Sequence, residues 1–328
     1  MAKSSNQKLR ILKLLEILEQ QTDENHYRTT AQLISELARY GIEADRKTIY
    51  DDLQALEDAG YDLIRVKGKN GGVRLLSRTF ALSEVKMLVD AVQASRYITE
   101  EKSKSLTDKL TALVSGHQKK ALARHFYNGN RTKSDSRTLF YAVDAINDAM
   151  NCNKKISFRY WNWNHEKQKV FRHGGKLYTV SPWELTVNDN NYYLIAYDSD
   201  KQALRHYRVD KMAEVTLSDD PRDGIEHTRH LTLPEYCAPH FGMFGGEAVT
   251  VKLKAPLSLA GVFIDRFGQD VILSKEDDQF LTVRAKVSPS PQFYGWLLGL
   301  GKGVCILEPE SVRQEYLTIL EDILQEHA

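Results

Sequence analysis

Three things are scarce in this chain of 328 residues: cysteine, net charge and long apolar runs. Cys152, Cys237 and Cys305 are scattered and form no C-x-x-C pair, a usage that suits a reducing cytoplasm. The 45 basic and 44 acidic residues leave a formal charge of +1, which argues against a histone-like or tail-driven nucleic-acid binder. Any DNA contact must then come from local placement of charge. No apolar run approaches the length of a membrane span, and the start Met1-Ala-Lys-Ser-Ser has no apolar signal core. Catalytic signatures are missing too: no Ser/His/Asp order, carboxylate cluster or H-x-E motif with paired cysteines stands out, and Gly71-Gly72 is too short for a phosphate loop. The expectation is a cytoplasmic protein of two or three domains, without membrane or cofactor.

What is present is helical first. Leu9, Ile11, Leu12, Leu15 and Leu18 form a helix-period stripe over Asn6–Gln21. Thr29-Thr30 caps a second helix, Ala31–Tyr40, with Leu33, Ile34 and Leu37 on one face and Gly41 as its stop. Asp45 caps a third, Arg46–Ala59, with Ile49, Leu53 and Leu56 as its apolar positions and Gly60 closing it. Two short helices joined by a tight turn after a supporting helix predict a helix-turn-helix. The alternating residues 61–75, broken at Asn70-Gly71-Gly72, predict a β-hairpin, the wing. Arg46, Lys47, Thr48 and Tyr50 occupy the end of the third helix that enters a major groove in such folds. Arg65, Lys67, Lys69 and Arg74 supply hairpin cations for backbone phosphates. The bland alternative is a solvated charged helix, with the acidic Asp51, Asp52, Glu57 and Asp58 facing away.

Helices around Ser83–Tyr97 and Thr99–Ser115 come next, then a basic irregular segment from His117 to Lys133 that is either solvated or in contact with nucleic acid. A helix over Ser136–Met150 precedes the strand Lys155–Tyr160. Trp161-Asn-Trp163 beside it is either a stacking platform or a set of turn residues capping the core. Three strand-like runs follow, Tyr178–Leu185, Asn191–Tyr197 and Leu204–Met212, separated by Asp/Asn/Ser clusters. They carry cations and phenols that suit a phosphate-bearing ligand.

In these runs Ser181-Pro182-Trp183, Tyr192-Tyr193-Leu194, Ala196-Tyr197 and Arg205-His-Tyr-Arg208-Val-Asp210-Lys-Met212 resemble the WYL domain. The first letter of its tripeptide is Tyr here, which keeps a large amphipathic ring. The resemblance implies a small SH3-like or Sm-like barrel with ligand contacts at Tyr160, Ser181, Tyr193, Arg205, Tyr207 and Arg208, and with Asp210 orienting a neighbouring arginine. Asp45-Arg-Lys-Thr-Ile-Tyr50-Asp-Asp52-Leu and Gly71-Gly-Val-Arg-Leu75 look like the winged helix-turn-helix that precedes WYL domains in bacterial transcription regulators. That family often has Arg directly after the Tyr, where this chain has Asp51.

Between residues 218 and 247 lies a loop-rich linker. Its His227, His230, Cys237 and His240 have the types and spacings a zinc ion accepts, although tight ligand pairs are only partly present; a loop packed on the barrel is the expectation. The remaining pattern is strand Val249–Ala255, helix Leu257–Phe267, hairpin Val271–Ser274 and Phe280–Val287, helix Ser290–Gly299, strand Val304–Leu307 and helix Glu310–Gln325. This order implies a ferredoxin-like α+β unit. Phe293-Tyr-Gly-Trp296 to Gly301 and Val304–Pro309 resemble the WCX extension that accompanies WYL domains.

The whole reads as a multidomain α+β chain: winged helix-turn-helix 1–79, helical connector and dimerisation region 80–135, WYL sensor 136–217, linker 218–247, WCX-like domain 248–328. The function expected from it is a homodimeric regulator that binds double-stranded operator DNA and senses a nucleotide or short single-stranded nucleic acid. An enzyme acting on nucleotides or nucleic acid, and a constitutive DNA binder whose barrel is only an interaction surface, stand as alternatives.

Overall fold

Side-chain caps start the second and third helices where the sequence predicts them. The computed structural model describes residues 2–66, 71–123, 138–228 and 232–328, and the chain divides into two units, Met1–Asp135 and Ser136–Ala328. In the first unit α1 spans Ala2–Gln21, α2 Thr30–Arg39 and α3 Arg46–Asp58. Thr29 forms a capping box with Gln32, and Asp45 Oδ1 accepts the Thr48 N–H at 2.8 Å. Each cap satisfies a helix donor that would otherwise lack a partner. The apolar stripes meet in one core through Leu14, Leu18, Leu33, Leu37, Ile49 and Leu53. The hairpin β1 (Leu63–Val66) and β2 (Gly72–Leu75) adds Val73 and Leu75 to it. Val73 also bridges to Arg28, and a Cβ on Gly72 would come within 2.5 Å of the Arg28 carbonyl oxygen. Glycine is what permits that approach.

Asp52 departs from the sequence reading, which turns it outward with its acidic neighbours. It is 2 % exposed, and its carboxylate accepts the Arg10 guanidinium of α1 at 2.5 and 3.0 Å. Its place three residues after Ile49 puts it on the inner face of α3, where a charge persists only when paired.

Three further helices complete this unit: α4 (Leu82–Ala94), α5 (Glu100–Thr111) and α6 (Gly116–Ala123). The stretch from His117 to Lys120, expected to be irregular, is helical because Ser115 Oγ accepts the Gln118 N–H at 3.0 Å and starts α6. The same hydroxyl donates to the buried Asp23 carboxylate at 2.5 Å, and the His26 ring lies 2.7 Å from it. His26 in turn stacks on His117 with centroids 3.8 Å apart.

Burial alone would raise the Asp23 carboxyl, but hydrogen bonds from Ser115 and His26 outweigh it and hold the group below its ordinary value. A carboxyl lowered by folding contributes stability above the ordinary pKa of about 3.9, and the contribution fades as pH falls through the folded value. Urea midpoints measured from about pH 5 down to about pH 3 should therefore fall more steeply for the natural chain than for Asp23→Asn. Parallel profiles would mean that the network adds nothing.

The second unit opens with α7 (Leu139–Asn151), which buries Leu139, Ala142, Ile146 and Ala149. Six strands follow: β3 (Lys154–Trp163), β4 (Lys169–Phe171), β5 (Leu177–Asn188), β6 (Asn191–Asp198), β7 (Ala203–Arg208) and β8 (Met212–Pro221). Their order is β4-β3-β5-β6-β7, with β8 also on β3. Trp161 and Trp163 thus belong to a strand rather than to a turn. No ladder joins β7 to β8 among the described residues, so the expected small barrel is not closed. The physical reason lies in the 3-10 turn Val209–Lys211, which ends β7 and redirects the chain on to β3. β7 is left with a free edge.

Helix α8 (Leu233–Cys237) lies in the linker, with Tyr236 and Cys237 packed against Tyr193 and Ile195. Then come β9 (Val249–Pro256), α9 (Ala260–Phe267), β10 (Ile272–Lys275), β11 (Phe280–Val287), α10 (Pro291–Gly299), β12 (Cys305–Glu308) and α11 (Glu310–Glu326). The sheet order is β10-β11-β9-β12, antiparallel throughout. Val251, Leu253, Phe263, Val283 and Phe293 fill its core, and Ser290 caps α10. Among the described residues no helix is long and apolar enough to cross a membrane.

Candidate functional site

The end of β7 gathers the charge. Arg208 donates from Nε and Nη2 to the two oxygens of Asp210 at 3.0 and 2.8 Å, a bidentate pair that fixes the guanidinium plane. The Arg208 backbone N–H donates to the Tyr160 hydroxyl at 3.2 Å, which ties β7 to β3. Two cations missed by the sequence reading join them. Lys211 donates to Asn162 Oδ1 at 3.2 Å, and the Arg172 guanidinium lies 5.9 Å from the Tyr160 ring centroid. Burial first, then the nearby Arg208, pushes the Lys211 ammonium below its ordinary value, against the opposing pull of Asp210. Like charges held close together are stabilised by an incoming anion. Lys211 was visible next to Asp210 in the motif; Arg172, in a 3-10 turn between β4 and β5, carries no sequence signal.

The tyrosines have a different part from the one their chemistry suggested. Tyr160, Tyr193 and Tyr207 are 9 %, 7 % and 8 % exposed, so their rings belong to the core and only their edges approach solvent. Tyr160, Tyr178 and Tyr207 surround the fully buried Phe158, with Phe158–Tyr207 centroids 5.1 Å apart and Phe158–Tyr178 rings stacked at 5.5 Å. Burial raises the Tyr160 hydroxyl to about 12, and it stays protonated. Trp163, by contrast, is 53 % exposed, meets Trp161 edge-on at 5.1 Å, and has the Lys169 ammonium 5.7 Å from its ring.

Ser181 sits elsewhere. It is fully buried and donates to Asp223 Oδ1 at 2.5 Å, while Ser199 and Lys155 donate to Oδ2 of the same carboxylate at 2.8 and 3.0 Å. This knot holds the chain leaving β8. Its neighbour Gly224 lies so close against the Tyr197 ring that a Cβ would clash with it.

Arg205 and Arg208 separate as well. Arg208 pairs in register with Tyr193, and Arg205 with Ala196, so alternation places the two arginines on opposite faces of β7. Arg205 is exposed and lines a cleft of about 740 Å³ along the free edge of β7, with His206, Tyr236 and His240. Both nitrogens of His206 are engaged, Nδ1 with the Met243 carbonyl at 2.8 Å and Nε2 with the Tyr236 hydroxyl at 2.7 Å. His240 Nδ1 donates to the Tyr236 carbonyl at 2.7 Å, and His227 stacks on Tyr197. His230 lies outside the described residues, among which no group of His, Cys, Asp and Glu is arranged to hold a metal.

On the N-terminal unit, Arg46 and Lys47 are exposed at the start of α3 and have no ion-pair partner among the described residues; Tyr50, 49 % exposed, lies one turn on. The Thr48 N–H is taken by the Asp45 cap. The hairpin cations are less available than their sequence implies. Arg65 donates to both oxygens of Glu57 at 3.0 and 2.8 Å, and Arg74 donates to the Glu24 carbonyl. Lys67 and Lys69 lie outside the described residues.

Comparison with known proteins places two domains on this geometry. The family model of the WYL domain matches residues 141–217, and that of the WCX domain matches residues 246–324. The chain therefore carries a WYL domain followed by a WCX domain. No curated protein matches it. Among solved structures it is similar to proteasome accessory factor B/C (PafBC) of Arthrobacter aurescens, at 20% identity over 94% of this chain and 47% of that one, with a TM-score of 0.32. It is also similar to a CRISPR Cas-related protein, at 16% identity over 90% of this chain and 77% of that one, with a TM-score of 0.37. The chain thus spans about half the length of the PafBC chain.

Proposed function

We propose that this chain, with its WYL and WCX domains, is a DNA-binding transcription regulator whose WYL domain senses a nucleotide or a short single-stranded nucleic acid. The observation that carries this reading is the group Arg208, Lys211 and Arg172 around Tyr160, inside the segment matched by the WYL family model. Three neighbouring cations, one of them oriented by Asp210, suit phosphate oxygens better than any neutral ligand. The N-terminal helices and hairpin serve in this reading as a winged helix-turn-helix over residues 1–79. Arg46, Lys47, Thr48 and Tyr50 meet the major groove, and hairpin cations meet the backbone. Residues 80–135 connect and dimerise two copies, whose readers meet half-sites about one helical turn apart. Residues 136–217 sense, 218–247 link, and 248–328 form the closing domain. Ligand control requires that the effector bind two arrangements of the dimer with different affinities.

The test uses the full chain, duplex DNA from upstream of its own gene, a salt series and a short oligodeoxythymidylate. The natural chain is expected to bind the duplex selectively and to change that binding when the oligonucleotide is added. Arg208→Ala should keep duplex binding, lose the response, and bind the oligonucleotide at least about tenfold more weakly, as loss of a charged hydrogen-bonding group implies. An unchanged response would remove the sensor reading. Duplex affinity that is indifferent to sequence and collapses as salt rises would remove the regulator reading, because it reports phosphate contact alone.

A further inference from the structure

The cleft along the free edge of β7 is built by both domains of the second unit. β7 supplies Arg205, the linker supplies Tyr236 and His240, and β11 supplies Lys286. Lys286 lies between the buried Ala285 and Val287, so strand alternation points it off the core. Neither Arg205 nor Lys286 has an ion-pair partner among the described residues, and Glu235 is the one carboxylate residue among those lining the cleft. His206 and His240 are wall rather than ligand, and His227, which also lines the cleft, stacks on Tyr197. Burial lowers His206 to about 4 and also lowers His240, and the hydrogen bonds above occupy both nitrogens of His206. Arg205 and Lys286 are the permanently charged cations among the residues lining the cleft. Its volume of about 740 Å³ falls within the range of roughly 300–1,000 Å³ usual for small-ligand sites.

We infer that this cleft binds a phosphate group of the effector, held jointly by Arg205 from the WYL domain and Lys286 from the WCX domain. The inference deepens the sensor reading and rests on it: one ligand touches both domains, so the WCX domain is part of the binding site.

The experiment is fluorescence anisotropy of a labelled oligodeoxythymidylate on the full chain across a potassium chloride series, with inorganic pyrophosphate as competitor. Lys286→Ala is expected to weaken binding about fivefold. It should also flatten the slope of log K against log salt by about 0.7, the share of one phosphate contact on a single strand. Lys286→Arg should restore both, with the melting temperature unchanged in each variant. Displacement by pyrophosphate that needs Lys286 would identify the phosphate itself as the ligand group. Dependence on Lys286 without displacement would identify the strand as the ligand; both support the shared cleft. If Lys286→Ala binds with the natural affinity and slope while Arg208→Ala is weakened, the cleft is overturned and the sensor reading stands. If the natural chain binds neither probe, both are overturned.

Discussion

Replacing Asp52 with alanine should destabilise the N-terminal unit by about 3–5 kcal/mol, the usual cost of leaving one partner of a buried ion pair alone. The Arg10 side chain is 14 % exposed and its counter-charge comes from α3, so the variant strands a guanidinium between two helices. Urea unfolding of the full chain, followed by circular dichroism, should show the transition of this unit moving to lower denaturant. The proposed duplex binding should fall with it, since α3 also carries Arg46 and Lys47. The companion experiment separates charge from packing. Arg10→Met combined with Asp52→Leu removes both charges and should recover stability to within about 1 kcal/mol of the natural chain. A single variant that loses less than about 1 kcal/mol would mean that water reaches the pair.

The second large effect is expected at Phe158. Its ring is fully buried among Tyr160, Tyr178 and Tyr207, and truncation to alanine should cost about 3–5 kcal/mol through lost burial and the cavity left behind. The consequence reaches function. Tyr160 accepts the Arg208 N–H, so loosening the ring cluster loosens the arginine that the proposed effector meets. Phe158→Ala should therefore lower oligonucleotide affinity although it touches no ligand. Trp163→Ala is the comparison: half exposed at the rim of β3, it should change stability by less than about 1 kcal/mol. Equal stability losses at the two positions would contradict the assignment of Phe158 to the core and Trp163 to the surface.

Much of the local structure was legible in the residues. Thr29 and Asp45 announce their helices because a short polar side chain before an apolar stripe has few other uses. Phe280–Val287 was read residue for residue, since alternation on a half-buried strand has a period of two. The Arg208–Asp210 pairing was legible as well: the two residues lie two positions apart, and Asp210 is the carboxylate nearest to Arg208 in the sequence. The helix of His117–Lys120 was hidden by its charges, which mask a weak apolar period.

The fates of the other charged and polar residues were not legible, and the distances along the chain show why. Asp52 finds Arg10 and Ser181 finds Asp223, each 42 residues away, and Arg74 reaches a carbonyl 50 residues back. Nothing within a few positions of Arg65 shows that Glu57 will neutralise it. The six residues expected to form one ligand surface divide in the fold among a ring cluster (Tyr160, Tyr207), a buried knot (Ser181), a separate packing of Tyr193 on Ile195 and Met243, and the two faces of β7 (Arg205, Arg208). By itself the sequence determined helix and strand periods, caps and the WYL-like motif, because these depend on neighbours within a turn or a pleat. Tertiary structure alone decided which cations remain free and which domain shares the cleft of Arg205, because a charge is spent or left available by whatever distant group folding brings within a few ångströms of it.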